Sequence, residues 1–528
     1  MLDRRQFLRA PRRPGGPAPL TATAPAYVPR TTPPAGPPPA PDLRPFAPTE
    51  ADPWDAAKAR HLLRRVSLAA LPGDVQALTE LAPAEAVTRI VTAARNRPAL
   101  ADPEWIGLRH PGWGEEATQA QRDAFDDQNK EAFQQTAQDL LNRLLGDGQS
   151  GRFARLGTAL RERMTAVWAN HYVTDYRSHN TATWLFEYLQ ILHRGALGDV
   201  RRVVREVGTT PAMLQYLNGN QNRVGRPNEN YARELLELFT MGTEGPDGAA
   251  TYTQRDVAEL SRALTGWRTD KRRTDHAWFD ASRFDTGDKT VFGQTGPLGY
   301  DDVTPLLFAE RGPQIAHFLA GVLYRAFVSD EPHAGVVAAL AGQIERAGFE
   351  LAPAVEALLQ SAHFYDDAHV GAVVKAPVEV ILGSAQAFGV AQVDRDTSGW
   401  VRWQMGRLNQ DLVNPPDVAG WPGGTSWVDT SSLTEREGRG QDVVQRYWQG
   451  IADDVLSRPS AYTAAGVAAE MAAELLPRVP GQPEIDELTE LLLSGSPAYS
   501  WDPQSDTARR RVRDLGKHLV TLPAFQLR

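Results

Sequence analysis

The stretch RFARLGTALRERMTAVWANHY, residues 152–172, places Leu156, Leu160, Met164, Val167 and His171 at successive steps of four, four, three and four residues. Steps of three and four stack side chains on one face of an α-helix, so this reads as a buried helical stripe running through to His171. The same period returns on either side. Ala56 to Leu68 sets Leu62, Leu63 and Val66 opposite its arginines, and Pro83 opens a helix where a missing N–H costs nothing. Thr183 to His193 is strongly apolar, Asp199 can cap a helix through Glu206, and Thr210-Pro211 is a cap followed by a first-turn proline. Further helices are expected from Asn228 to Met241 with Gly242 as its stop, from Thr253 to about Leu264, over 313–327, 334–348, 353–361 and 377–388, and onward to Leu522. The expected fold class is all-α: a multi-helix orthogonal or bundle-like globular body with long irregular loops and at most short strands.

Interruptions of the period divide the chain. From Pro11 to Pro53 lie 15 of its 39 prolines, a composition that makes an extended linker rather than a core. Residues 1–53 are therefore read as a leader and disordered linker, 54–267 as an N-terminal helical region, 268–304 as an irregular Gly/Asp-rich insertion, and 305–528 as a C-terminal helical region. Asp3-Arg4-Arg5-Gln6-Phe7-Leu8-Arg9 has the twin-arginine export pattern, although the apolar region that should follow is reduced to a weak stretch from Ala18 to Val28. Periplasmic or extracellular location by twin-arginine export is the expectation. The alternative is a cytoplasmic protein whose tail begins with paired arginines.

Composition closes several doors. The 528 residues are 42% hydrophobic and 23% charged, enough for two or more ordinary cores. A net charge of −9, with Lys271-Arg272-Arg273 only a brief basic run, argues against nucleic acid as a partner. No stretch reaches the roughly 18 to 20 consecutive apolar residues of a transmembrane segment. The chain is cysteine-free, which excludes disulfides, thiolate metal sites and cysteine nucleophiles. The sequence motifs of zincins, serine hydrolases with a nucleophile elbow, phosphate-loop proteins and di-iron bundles are absent.

The polar residues worth testing cluster around Asn228-Glu229-Asn230-Tyr231-Ala232-Arg233-Glu234. On an ideal helix Asn230, Glu234 and Glu237 share a face opposite Leu235, Leu236, Leu238 and Phe239, while Glu229, Arg233 and Glu237 form a charge ladder. One reading is a solvated face laced by ion pairs. The other is a polar strip facing a cleft, in which two carboxylates three residues apart bind a cation or do acid/base work. His171, next to Asn170, reads either as a core histidine with one satisfied hydrogen bond or as a ligand or proton carrier. His179 and His193 have weaker claims. Asp285 and Lys289 stand either in a turn leading to a short strand or at the mouth of the same cleft, and Trp421 in a packed corner or an aromatic platform.

Taken in order, "HLLRRVS" at His61, "WANHYV" at Trp168, "NENYARELLELFTMG" at Asn228, "ALTGW" at Ala263, "FDTGDKTVFGQTG" at Phe284, "VVKAPVE" at Val373 and "PPDVAGWPGG" at Pro415 resemble the bacterial family called domain of unknown function 1800. The resemblance covers nearly all of the chain beyond Trp54. It implies an all-helical fold, frequent twin-arginine export, and gene neighbourhood with a second exported family, domain of unknown function 1501, which looks like the sulfatase and alkaline phosphatase group. That family is the partner it suggests. The family usually has His-Asp where this chain has Phe284-Asp285; if that histidine is a ligand or base in relatives, this chain has altered or lost the activity.

Two functions follow from these readings. The first is an exported, hydrolase-like enzyme with Glu234 and Glu237 as acid/base groups, His171 as proton carrier, and Asp285 and Lys289 orienting substrate. In a metal version His171, Glu234 and Glu237 hold a divalent cation, and Asn170, Asn228, Glu229, Asn230, Arg233 and Trp421 form the surrounding polar network. The second is a non-catalytic binding or assembly partner of another exported protein.

Overall fold

The helix at Arg152–His171 organises the N-terminal half of the protein. The structure, a computed structural model, describes residues 42–112, 117–271 and 276–528. Leu156, Leu160 and Met164 are fully buried, as their spacing requires; the buried stripe then continues at Trp168, while Val167 and His171 are half-buried. Gly157 lets this helix touch the one at Pro83–Arg95: a Cβ there would lie 2.6 Å from the backbone N of Ala94. One step on, the buried Arg161 guanidinium donates to the carbonyls of Ala94 (3.1 Å), Arg97 (2.7 Å), His193 (2.8 Å) and Arg194 (3.3 Å). Those carbonyls sit at the C-terminal ends of Pro83–Arg95 and Ala182–Gly195. Helix C-termini leave acceptors unmatched and carry partial negative charge, so a single cation caps both.

The protein is all-helical, with strands only of two or three residues among the described residues. Apart from Gln119–Leu144, helices from Ala56–Val66 to Ala352–Gln360 share one core, to which Val291 from the 268–304 segment also belongs. A second core gathers Leu141, Leu144 and Leu145 with the helices from Pro377–Ala387 to Asp506–Leu519. The two packing centres lie within one compact unit. No helix among the described residues is long and apolar enough to cross a membrane.

Several elements differ from their sequence reading. Residues 42–53, grouped with the linker on proline content, are tied down: Phe46 N–H donates to Gln360 O, Ala362 N–H to Arg44 O, and the Phe46 ring lies 5.1 Å from that of Tyr365. The 26-residue helix Gln119–Leu144, opened by a Thr118 and Gln121 capping box, was not legible. Its buried set includes Asn129 and Thr136, which blurs any apolar stripe. Helix also begins at Tyr300 rather than Pro313, and continues through a kink at Arg311 to Phe327. Within 268–304, Trp267–Arg268 pairs antiparallel with Trp278–Phe279, and Lys289–Val291 with Gln294–Gly296. The twin-arginine segment lies outside the described residues.

The cores meet at an ion cluster. Glu379 is 5% exposed; its Oε1 lies 2.8 Å from Arg163 Nη2 and 2.9 Å from Arg528 Nε, and its Oε2 accepts from Ala376 N–H. Burial alone would raise this carboxyl, but Arg528 and Arg163 outweigh it and hold it at about 2. Breaking such a buried pair costs about 3–5 kcal/mol, and Glu379→Gln is expected to lose that much in urea unfolding at pH 7. Because the folded value is depressed from 4.5, the contribution is complete above that pH and disappears as pH falls toward about 2. The gap between wild type and variant should narrow over the same window; a gap independent of pH would place the loss in packing instead.

Candidate functional site

Asn170 and His171 end the Arg152–His171 helix with different tasks. Asn170 grips the loop at 414–424: its Nδ2 donates to Trp421 O (3.0 Å) and its Oδ1 accepts from Trp421 N–H (2.7 Å). Gly420 lies so close, with φ +80°, that a Cβ would fall 2.4 Å from Asn170 Oδ1. His171 Nε2 meets Phe239 O at 2.9 Å, and the ring is surrounded by Trp168, Tyr172, Phe239 and Phe318. A carbonyl accepts, so Nε2 carries the proton; burial pulls the imidazole down to about 4 and keeps it neutral.

The helix after Asn228 does pack on His171, at the carbonyl of Phe239 near its C-terminal end. Its first turns are capped and paired: Asn228 Oδ1 accepts from Asn230 N–H, and Glu229 accepts from Arg233 and Gln254. Beneath them the buried Asn222 accepts from Asn228 N–H and donates to Ser261 O, fixing the segment to the following helix. After Glu234 the backbone widens into a π turn, Leu235–Thr240, with Met241 N–H reaching Leu236 O. Such turns recur at functional sites, and this one breaks the ideal spacing that aligned Glu237 with Asn230 and Glu234. Glu237 accepts from Tyr252 OH (2.9 Å). Glu234 is half-buried, and desolvation followed by the Glu237 charge raises its carboxyl above the usual range.

Asp285 and Lys289 are brought together, but with each other and Arg262. Arg262 grips both Asp285 oxygens (2.8 and 3.2 Å), and Lys289 Nζ donates to Asp285 O while lying 4.5 Å from the Phe284 ring centre. Phe284 thus fills the expected histidine position with an apolar surface for a buried ammonium. The same hairpin is held by Asp256 accepting from Phe292 N–H and Glu259 from Thr290 N–H.

Among the described residues no group of three or more His, Asp or Glu side chains is placed to hold a metal ion. His171, Glu234 and Glu237 therefore do not form the three-ligand set expected of them, since the histidine faces a backbone carbonyl.

A cleft of about 910 Å³ does open at the start of the Asn228 helix. Asn228 and Glu229 line it, together with Arg223, Arg226, Arg268, Lys271 and Arg283. Five cationic side chains thus face two carboxylates, Glu229 and Asp270, and Glu229 is already paired with Arg233. Arg268 has Asp280 at 3.5 Å, whereas Arg223 and Arg226 have no carboxylate partner among the described residues. Desolvation, then Arg268 and Arg223, lowers the Arg283 guanidinium. The buried wall adds donors without acceptors. His179 (4% exposed) takes Thr181 N–H on Nδ1, which leaves its proton on Nε2, and that atom has no partner. Trp184 Nε1 (2% exposed) and Arg283 Nε are likewise unpaired.

The chain matches the family described as Protein of unknown function (DUF1800) over residues 61–527. It belongs to the DUF1800 family. No curated protein and no solved structure matches it.

In this DUF1800 protein the cleft cations were missed because they are scattered between Arg223 and Arg283 and the net charge is acidic. The Gly225 turn in the polar loop before Pro227, with φ +74°, was the available signal. The Asn170 clamp gives a direct test. A fully buried backbone group left unmatched costs about 1–3 kcal/mol; the two groups of Trp421 are only part-buried, so Asn170→Ala should expose Trp421 N–H to hydrogen exchange and lower stability by about that order in all. Unchanged exchange at Trp421 would show that the loop is held by other contacts.

Proposed function

We propose that this protein binds a multiply charged oxyanion, a phosphorylated or sulfated ligand, in the cleft at the start of the Asn228 helix. The observation that carries the reading is the convergence of Arg223, Arg226, Arg268, Lys271 and Arg283 on a space whose buried wall holds unpaired N–H groups of His179 and Trp184. Arginine matches planar, bidentate oxyanions, and neutral buried donors add directional hydrogen bonds without further repulsion. The reading places the protein beyond the cytoplasmic membrane, on the twin-arginine pattern at Asp3–Arg9, which lies outside the described residues. A companion of the domain of unknown function 1501 kind, resembling enzymes of sulfate and phosphate esters, fits such a ligand.

Calorimetry with pyrophosphate and inorganic sulfate tests this. One saturable site per chain is expected, weakened about tenfold or more, equivalent to about 1.4 kcal/mol, by Arg283→Ala or by Arg223→Ala with Arg226→Ala. His179 is held down to about 3, chiefly by desolvation and then by Lys271. It stays neutral, so sulfate affinity should be flat from about pH 5 to 8, where arginine is always charged. No saturable binding of either anion, or affinity that climbs as pH falls toward 5, would overturn the assignment.

One observation favours a second, hydrolytic reading: Glu234 is a half-buried carboxyl raised by desolvation and by Glu237, the environment of a general acid. Here turnover of an aryl phosphate or aryl sulfate should be abolished by Glu234→Gln while sulfate binding persists. Absence of turnover in the wild type would sink this reading and leave the binding site intact.

A further inference from the structure

A second groove, of about 460 Å³, lies where the two cores meet. Its walls include Val167, Leu185, Leu189, Val322, Val378 and Leu412, with Trp421 from the clamped loop and Trp427 just beyond it. Among the apolar walls stand charged side chains, Arg163, Arg325, Arg528, Glu379 and Asp330, with a few neutral polar groups. Both oxygens of Glu379 are engaged, by Arg163, Arg528 and the Ala376 N–H. Asp330 faces the same guanidinium groups and is opposed by Arg528, yet guanidinium N–H groups remain without an acceptor. Arg528, 9% exposed, gives Nη2 to Ala326 O at 3.3 Å, but its Nη1 has no partner, and neither has Arg163 Nε.

A buried guanidinium N–H without an acceptor carries its desolvation cost uncompensated, and each such group in a well-packed protein calls for an explanation. Water could serve part of this space, but most of the lining is apolar and suits the body of an organic ligand better than water. Small-molecule sites have this composition: a largely apolar concavity of a few hundred Å³ with a small number of placed polar groups. The polar groups set the head and the walls set the body of whatever binds.

We propose that this groove binds a small amphiphile with a single carboxylate head and an apolar chain or ring, the carboxylate meeting Arg528 Nη1 and Arg163 Nε while the body lies along Val167, Leu189 and Val322. Arginine favours a carboxylate over a hydroxyl head because the ionised acceptor forms the stronger bond and needs no donor in return. The occupant differs in kind from the ligand of the cationic cleft, whose lining is polar and shares no residue with this groove. The proposal stands independently of the oxyanion reading.

Calorimetry on the full chain with decanoate, decanol and acetate separates head from body. Decanoate should bind one per chain, decanol at least tenfold more weakly, and acetate without measurable affinity. Arg528→Met should weaken decanoate tenfold or more and leave decanol unchanged. Since that change also disturbs the ion pair with Glu379, Leu189→Trp, which fills the groove and spares the cluster, provides the second arm: it should abolish binding of both long-chain probes, with thermal unfolding confirming a folded variant. The cleft variant Arg283→Ala should bind decanoate as the wild type does. Failure of decanoate to bind, equal affinity for decanol, or binding that survives Leu189→Trp would each overturn the proposal.

Discussion

Arg161 caps two helices from inside a third. A guanidinium placed at the meeting of two helix C-termini satisfies carbonyls that would otherwise be buried without donors, and its charge opposes their aligned dipoles. The arrangement requires the backbone of Arg152–His171 to approach Pro83–Arg95 closely, which Gly157 permits. The same helix also holds one loop and one neighbouring helix end in place. Its C-terminal end supplies Asn170 to the loop at 414–424 and His171 to the end of the Asn228 helix.

Polar residues in and around the motifs serve as fasteners. Asn222 secures Asn228, Asn170 secures Trp421, Asp256 and Glu259 secure the hairpin of Lys289, and Arg262 secures Asp285. Irregular backbone needs such partners, because loops do not satisfy their own N–H and C=O groups as helices do. The result is a set of hydrogen-bonded loops beside two concavities. One is rimmed by cations that have more donors than acceptors, and the other is walled by valine and leucine with arginine at its polar side.

The local code was legible where one helix buries one stripe. Leu156, Leu160 and Met164 announced their helix, Thr253 with Asp256 announced a cap, and Gly242 ended a helix at φ +72°. Legibility failed where burial and polarity part company. Gln119–Leu144 buries Asn129, which bonds Asn180 O and Ala182 N–H, so its inner face does not look apolar. It failed again after Glu234, because a π turn has no sequence signature comparable to a proline or a cap, yet shifts every later side chain around the helix.

The sequence by itself determined the fold class, the family and the absence of thiol chemistry. These depend on local period, on composition and on ordered motifs, all of which are properties of the chain as a line. Only the tertiary structure decided what faces what. Arg223 and Arg283 are sixty positions apart, and Arg163 and Arg528 lie still further apart, so neither concavity exists until helices from distant parts of the chain pack together. His171 and Glu234 illustrate the same point in reverse: both belong to motifs, and packing brings the histidine to the Phe239 carbonyl.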